Sequence, residues 1–125
     1  MANSYQEIQG DFRVVTDPVL REYDGKNVCI FHAVDLDIDT TDWTDNEILT
    51  RSKRIYEVGG HAKASETYLE IDSVCHITGT TGTKEAIDLN GNKYVQECVN
   101  SSHTQFKSFP KKGIPSSNQN LFDSL

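Results

Sequence analysis

Cations and aromatic rings alternate along two stretches of the chain: Arg21, Tyr23 and Lys26, then Arg51, Lys53, Arg54 and Tyr56. Groups of these two kinds do complementary work on a single nucleic-acid strand. Cations neutralise the phosphate backbone, and ring faces stack on bases without reading their sequence. Adding Arg13, Lys84, Lys93 and the single tryptophan, Trp43, gives a candidate binding set of Arg13, Arg21, Tyr23, Trp43, Arg51, Lys53, Arg54, Tyr56, Lys84 and Lys93. By spacing alone, Arg51 to Tyr56 also suits an ordinary strand with solvated ends.

Other chemistries fit less well. Asp35 to Glu47 holds six carboxylates and no base, and Asp35, Asp37 and Asp39 are spaced like the opening of a calcium loop. The rest of such a loop is missing. Its Gly at position six, apolar residue at position eight and Glu at position twelve are here Thr40, Asp42 and Asn46. The stretch reads as a solvated strand end and an acidic loop, and a two-metal nuclease would need a further carboxylate constellation. His32, His61, His76 and His103 are scattered, with no H-x-x-x-H and no G-x-S-x-G. Cys75 and His76 are neighbours in sequence, so on a strand they point to opposite faces and form no dyad. Cys29, Cys75 and Cys98 are widely spaced in apolar or β-branched settings, which predicts buried thiols in a reducing compartment. No catalytic residue, metal ligand or cofactor is expected.

The chain of 125 residues has 12 Lys and Arg against 19 Asp and Glu, a net charge of −7. That balance excludes gripping duplex DNA or anionic lipid by bulk charge, so any nucleic-acid site must be a local patch. The length suits one domain. A 36% hydrophobic content is low for a fully packed chain, which implies an unpacked segment. From Thr104 onward the composition turns to Ser, Asn, Gln, Lys and Pro. Residues 1–103 are therefore expected to form the domain and 104–125 a flexible tail. The tail carries three Lys and one Asp, leaving nine cations against eighteen acids in the body. The start has neither a basic nor an apolar leader region, and no run of apolar residues is long enough to span a bilayer. A cytoplasmic protein without membrane contact is expected.

Period-two patterning predicts mostly strands. Tyr5 to Val15 puts Ile8, Phe12 and Val14 on one face, with Gly10 as an expected bulge or close approach. After the Asp17-Pro18 turn, Val19 to Tyr23 is a short extended piece, and Asp24-Gly25 turns into Asn27 to Ile38. That long strand is apolar on both faces at first and on one face later, as when a strand leaves a barrel to run on as an arm. Asp39 to Thr50 reads as a loop, and Arg51 to Val58 as the third strand. Ala62 to Leu69 makes about two turns of helix that plug the end of the β-structure with Tyr68 and Leu69. Ser73 to Gly79 follows as a strand and Thr78 to Thr83 as a bend. Lys84 to Leu89 and Asn92 to Val99 flank Asn90-Gly91, the best type I′ hairpin signal in the chain. The predicted fold is all-β with a little α: a five-stranded OB-fold barrel with a short helix between the third and fourth strands.

The run IQGDFRVVTDPVLREYDGKNVCIFHAV resembles the opening of the bacterial single-stranded DNA-binding protein family, through Asp17, Pro18, Leu20, Arg21, Gly25 and Phe31. GGHAKASETYLEIDSVCHITG is similar to the family's later segment through Gly59, Ala62, Tyr68, Leu69, Ile77 and Gly79, and the late hairpin fits through Gly91 and Tyr94. The resemblance spans roughly residues 5–101. It implies an OB-fold that assembles into homodimers or homotetramers and covers single-stranded DNA without catalysis, in replication, recombination and repair. Arg21 matches a family cation near the DNA path, and Tyr56 lies on the strand that supplies a stacking face. Replication or recombination proteins would be partners, in the bacterial cytoplasm and nucleoid. The chain departs from the family at three aromatic positions, occupied here by Ser52, Val58 and Ala86, and it ends NLFDSL rather than in an acidic Pro-Phe tip. Such divergence suits a phage or mobile-element version. An alternative keeps the oligomeric fold without DNA binding: an acidic module that contacts a basic protein by mimicking DNA.

Overall fold

Alternation of apolar and polar residues along six strands decides what this chain buries. The computed structural model describes residues 6–108, and residues 1–5, with the expected strand start at Tyr5, and 109–125 lie outside them. β1 (Gln6–Val14) turns Phe12 and Val14 inward, with Ile8 packed at the margin. β2 (Val19–Tyr23) and β3 (Lys26–Asp35) form a tight hairpin whose turn residues, Asp24 and Gly25, have φ of 52° and 77°. Two successive positive φ angles are what a type I′ hairpin turn requires. β3 buries Cys29, Phe31 and Ala33, and β4 (Lys53–Val58) buries Ile55. The short helix α1 (Asp45–Arg51) precedes β4, and α2 (Gly60–Tyr68) follows it. β5 (Val74–Ile87) and β6 (Lys93–Ser108) complete the chain as one long hairpin.

The strand order is β1-β5-β6-β4-β3-β2, with an additional β1–β3 pairing that closes the sheet on itself. β1 pairs antiparallel with β5 along Gln6–Arg13 and with β3 through Phe12, Arg13 and Val14. The remaining seam, β4 with β6, is parallel. This is the closed OB-fold barrel. Its interior holds Phe12, Val14, Phe31, Ile55, Ile77 and Val99 with Cys29 and Cys75, and Ala62 and Leu69 at α2 plug one end. Tyr68 packs at the margin, its ring 6.2 Å from that of Phe106. All three cysteines are free and buried. Burial, reinforced by the Glu57 charge, pushes the Cys29 thiol up to about 12 and raises that of Cys75 as well.

Several expectations need correction. Gly10 is neither a bulge nor a close approach: β1 pairs with β5 from Gln6 to Arg13 without a register shift, and a Cβ there would lie 3.7 Å from the Phe12 ring, an ordinary contact. The irregularity falls between β5 and β6, where the register shifts at Val74/Cys75 and Thr78/Gly79. A Cβ on Gly79 would sit 2.2 Å from the Asn100 carbonyl oxygen, so only glycine lets these backbones approach. Thr78 to Thr83 is continuous strand, because four β-branched threonines outweigh two glycines. β3 ends at Asp35, where the chain turns through the Ile38 N–H to Asp35 carbonyl bond (3.0 Å), so no arm extends to Ile38. Asp45–Arg51, the end of the expected loop and the first residue of the expected third strand, is helical, started by a capping box in which Thr44 and Glu47 bond each other's backbone N–H, and β4 begins only at Lys53. Finally, β6 extends to Ser108, paired with β5 as far as Val74, so residues 104–108 of the expected flexible tail are strand, and its remainder, 109–125, lies outside the described residues.

The contrast between the two glycines is measurable. Gly79→Ala should cost about 1–3 kcal/mol in urea unfolding, the usual range for overpacking against a fixed neighbour. Gly10→Ala should be neutral or stabilising by up to about 1 kcal/mol, through reduced freedom of the unfolded chain.

Candidate nucleic-acid interface

Residues that alternate with the core on β3 and β4 point to the outside of the barrel. These are Val28, Ile30 and His32 on β3 and Arg54, Tyr56 and Val58 on β4. The register aligns them with their neighbours in rows across the sheet. One row runs Val19, Ile30, Tyr56, Asn100 from β2 to β6, and the next runs His32, Arg54, Cys98, Gly82 from β3 to β5. Two shallow grooves result. Arg21, Tyr23, Ile30, His32 and Arg54 line the first, together with Asp17 and Glu22. Tyr56, Lys84, Cys98 and Asn100 line the second. The Lys84 ammonium stands 5.3 Å from the centre of the Tyr56 ring, within range of a cation–π attraction. Tyr94 lies on the Lys84 side of the β5–β6 hairpin, directly opposite Ala86.

A chain of hydrogen bonds crosses this face beneath Arg54. The Arg54 Nε–H donates to His32 Nε2 at 3.4 Å, and His32 Nδ1 is 2.8 Å from the Ser52 hydroxyl. That hydroxyl donates onward to the Ile48 carbonyl of α1. With Nε2 accepting, Nδ1 carries the proton and donates to Ser52, so His32 is a neutral imidazole of one defined tautomer. Burial, with the Arg54 charge beside it, lowers its pKa from 6.5 to about 4. The Ser52 carbonyl in turn accepts from the fully buried Gln96 amide (2.9 Å), whose oxygen accepts from the Tyr94 hydroxyl (2.7 Å). α1 is braced from its other end as well: the Asn46 side chain accepts from the Leu89 N–H (2.8 Å) and donates to Asp88 (3.4 Å) at the hairpin turn.

Of the ten candidates, the fold gathers Arg21, Tyr23, Arg54, Tyr56 and Lys84 along these grooves and engages the other five elsewhere. Arg13 ties the acidic loop to the barrel through the Ile38 carbonyl (2.7 Å), the Thr40 hydroxyl (3.2 Å) and Asp72 (3.4 Å). Lys53 shares the parity of Ile55 and Glu57, away from Arg54, and pairs with Glu97 at 3.1 Å. Arg51 pairs with Glu47 (3.3 Å) and lies 5.8 Å over the Trp43 ring, and Trp43 lines neither groove. Lys93 faces the opposite side of the hairpin from Lys84, 3.8 Å from Glu85. His32, Tyr94 and Asn100 are additions that the sequence reading missed. For Tyr94 the signal was available, since the Asn90-Gly91 turn sets it across from Ala86. Among the described residues, no group of three or more His, Cys, Asp or Glu side chains is placed to hold a metal, and no helix is long and apolar enough to cross a membrane.

No family model and no curated protein matches the chain. Among solved structures it is similar to a small single-stranded DNA-binding protein from Streptomyces coelicolor, with a TM-score of 0.62 and 15% sequence identity. The match covers 86% of this chain and 96% of that one. At this identity, the likeness establishes a shared fold.

His32 makes stability depend on pH in a definite direction. Its folded pKa, about 4, lies below the unfolded value of 6.5, so the unfolded chain takes up the proton first. The stability it contributes is fully present above about pH 6.5 and is lost as pH falls toward 4, with about 2 kcal/mol gone by pH 5. The buried Glu57, held by Ser65 and Thr104 with its pKa raised by burial, works in the opposite sense. It is common to the wild type and His32→Gln, so the difference between their urea stabilities at pH 7 and at pH 5 isolates His32. The wild type should lose stability relative to His32→Gln as the pH is lowered.

Proposed function

We propose that this barrel binds single-stranded DNA across its outer face with little sequence preference. One observation carries the reading: in a chain of net charge −7, Arg21, Arg54 and Lys84 share one face with Tyr23, Tyr56 and Tyr94. OB-folds use this strand face and its flanking loops for oligonucleotides. Phosphates meet the three cations, while bases stack on Tyr56 and on Tyr23 or Tyr94 above a floor that includes Ile30. Ring faces stack on any base, which supports binding with little sequence preference. The likeness to the Streptomyces protein supports the same reading.

The role fits protection of exposed single strands during replication, recombination or repair in a bacterial cytoplasm, for a host or a phage. Assembly into homodimers or homotetramers is part of the proposal. Along Gln6–Asp11, β1 pairs with β5 on one edge, and its other edge has no strand partner among the described residues. A second reading, contact with a basic protein through DNA mimicry, draws on the exposed carboxylates of Asp35, Asp37, Asp42 and Asp45. A basic protein that binds this chain and is not displaced by oligo-dT would favour it.

Titration of labelled oligo-dT by fluorescence anisotropy, over a range of salt, tests the first reading. Affinity should fall with salt at about −0.7 in log–log slope for each phosphate neutralised. Tyr56→Ala should weaken binding by about 1–3 kcal/mol, the range for a lost stacking ring. Lys53→Ala, on the other side of β4, should leave it within about twofold, as for a screened surface charge. Absence of wild-type binding at low salt would discard the reading.

A further inference from the structure

His32 is an anomaly on an otherwise apolar strand: it is 6% exposed and lies between Val28, Ile30 and Val34 on the outward parity of β3. A hydrophobic residue of similar size would fill that space without desolvating a polar ring. What the imidazole adds is an acceptor for the Nε–H of Arg54, set by the backing bond from Nδ1 to Ser52. A guanidinium held at Nε has its two terminal nitrogens directed away from the contact, and these form the fork that grips a phosphate bidentately. Ser52 is itself fixed, its hydroxyl to α1 and its carbonyl to Gln96. His32 and Ser52 are therefore fixed before any ligand arrives, and Arg54, which also engages the Tyr56 side chain, is held at its Nε.

We propose that His32 is a positioning residue for phosphate recognition: by accepting from Arg54 Nε, it pre-orients the Arg54 guanidinium toward the strand crossing the outer face. This rests on the single-stranded DNA reading above. It assigns His32 no contact with DNA and makes its effect wholly dependent on Arg54. Holding the side chain in place in the free protein removes the entropy cost of ordering it on binding. Glutamine satisfies both bonds, since its amide oxygen accepts from Arg54 and its NH₂ donates to Ser52, whereas leucine satisfies neither.

The test is a double-mutant cycle on oligo-dT binding with His32→Leu, His32→Gln, Arg54→Ala and the His32→Leu/Arg54→Ala pair, together with ¹⁵N NMR of the Arg54 Nε–H in the free proteins. His32→Leu should weaken binding about tenfold and lower the salt slope by about 0.7, as Arg54→Ala does, because one phosphate contact is lost. The pair should bind no more weakly than Arg54→Ala alone. His32→Gln should restore wild-type affinity and slope. The Arg54 Nε–H resonance should be resolved and slow to exchange in the wild type and in His32→Gln, and averaged in His32→Leu. Additive losses in the cycle, or an Arg54 resonance unchanged in His32→Leu, would overturn the role of His32 while leaving DNA binding intact. A wild type that does not bind oligo-dT would overturn the face and the positioning role together.

Discussion

The double pairing of β1 is the constraint on which the rest of the molecule depends. One strand bonds β5 along most of its length and β3 at its end, which curls the sheet into a closed barrel. Closure gives every strand an inside and an outside, and strand periodicity does the sorting. On β4, Ile55 and Glu57 face inward while Arg54 and Tyr56 face out; on β3, Cys29, Phe31 and Ala33 face inward while Ile30 and His32 face out. The core and the candidate interface are thus two sides of the same strands, and neither can shift register without the other. Gly79 belongs to this constraint, since it permits the close β5–β6 approach beside which β6 continues around the barrel.

Charge is partitioned by the same geometry. The outer face gathers Arg21, Arg54 and Lys84 while many of the acids are placed elsewhere: on the loop and first turn of α1, inside the barrel as Glu57, and on the far side of the hairpin as Glu85 and Glu97. Several cations are used up in that partition. Arg13, Arg51, Lys53 and Lys93 each answer a carboxylate within 4 Å. Asp17 and Glu22 line the first groove beside Arg21 and Arg54, so the positive patch is narrow. A narrow patch on an anionic body favours local phosphate contacts over long-range attraction of polyanions.

Much of this was legible in the sequence, and the failures have physical causes. The strands, the α2 plug and the Asp24-Gly25 turn follow from alternation and turn chemistry, and five of ten proposed site residues line the outer grooves. The Asn90-Gly91 hairpin forms too, but only Gly91 has a positive φ (84°), so its turn is not the type I′ turn the dipeptide signals. Alternation would also have excluded Lys53, one position from Arg54 and therefore on the other face. α1 was hidden by its Asp- and Thr-rich lead-in, although the Thr44–Glu47 capping box was present. Polar residues 104–108 looked unpacked because a strand pairing is supplied by its partner, β5, and leaves little trace in its own composition. The two glycines were exchanged in importance because a close backbone approach depends on a distant carbonyl, that of Asn100. His32 was overlooked because an isolated histidine gains meaning only from the Arg54 and Ser52 that folding brings beside it.

The depth of the thiols has a consequence for how the molecule's breathing can be followed. Cys29 and Cys75 lie at the centre of the barrel and are held protonated well beyond neutral pH, so they lack the thiolate that alkylating reagents attack. They become nucleophilic only when strands part. With Cys98, the thiol that lines the second groove, replaced by serine, slow modification by a mild maleimide counts transient openings of the native state, and the two central thiols act as a built-in clock for local unfolding.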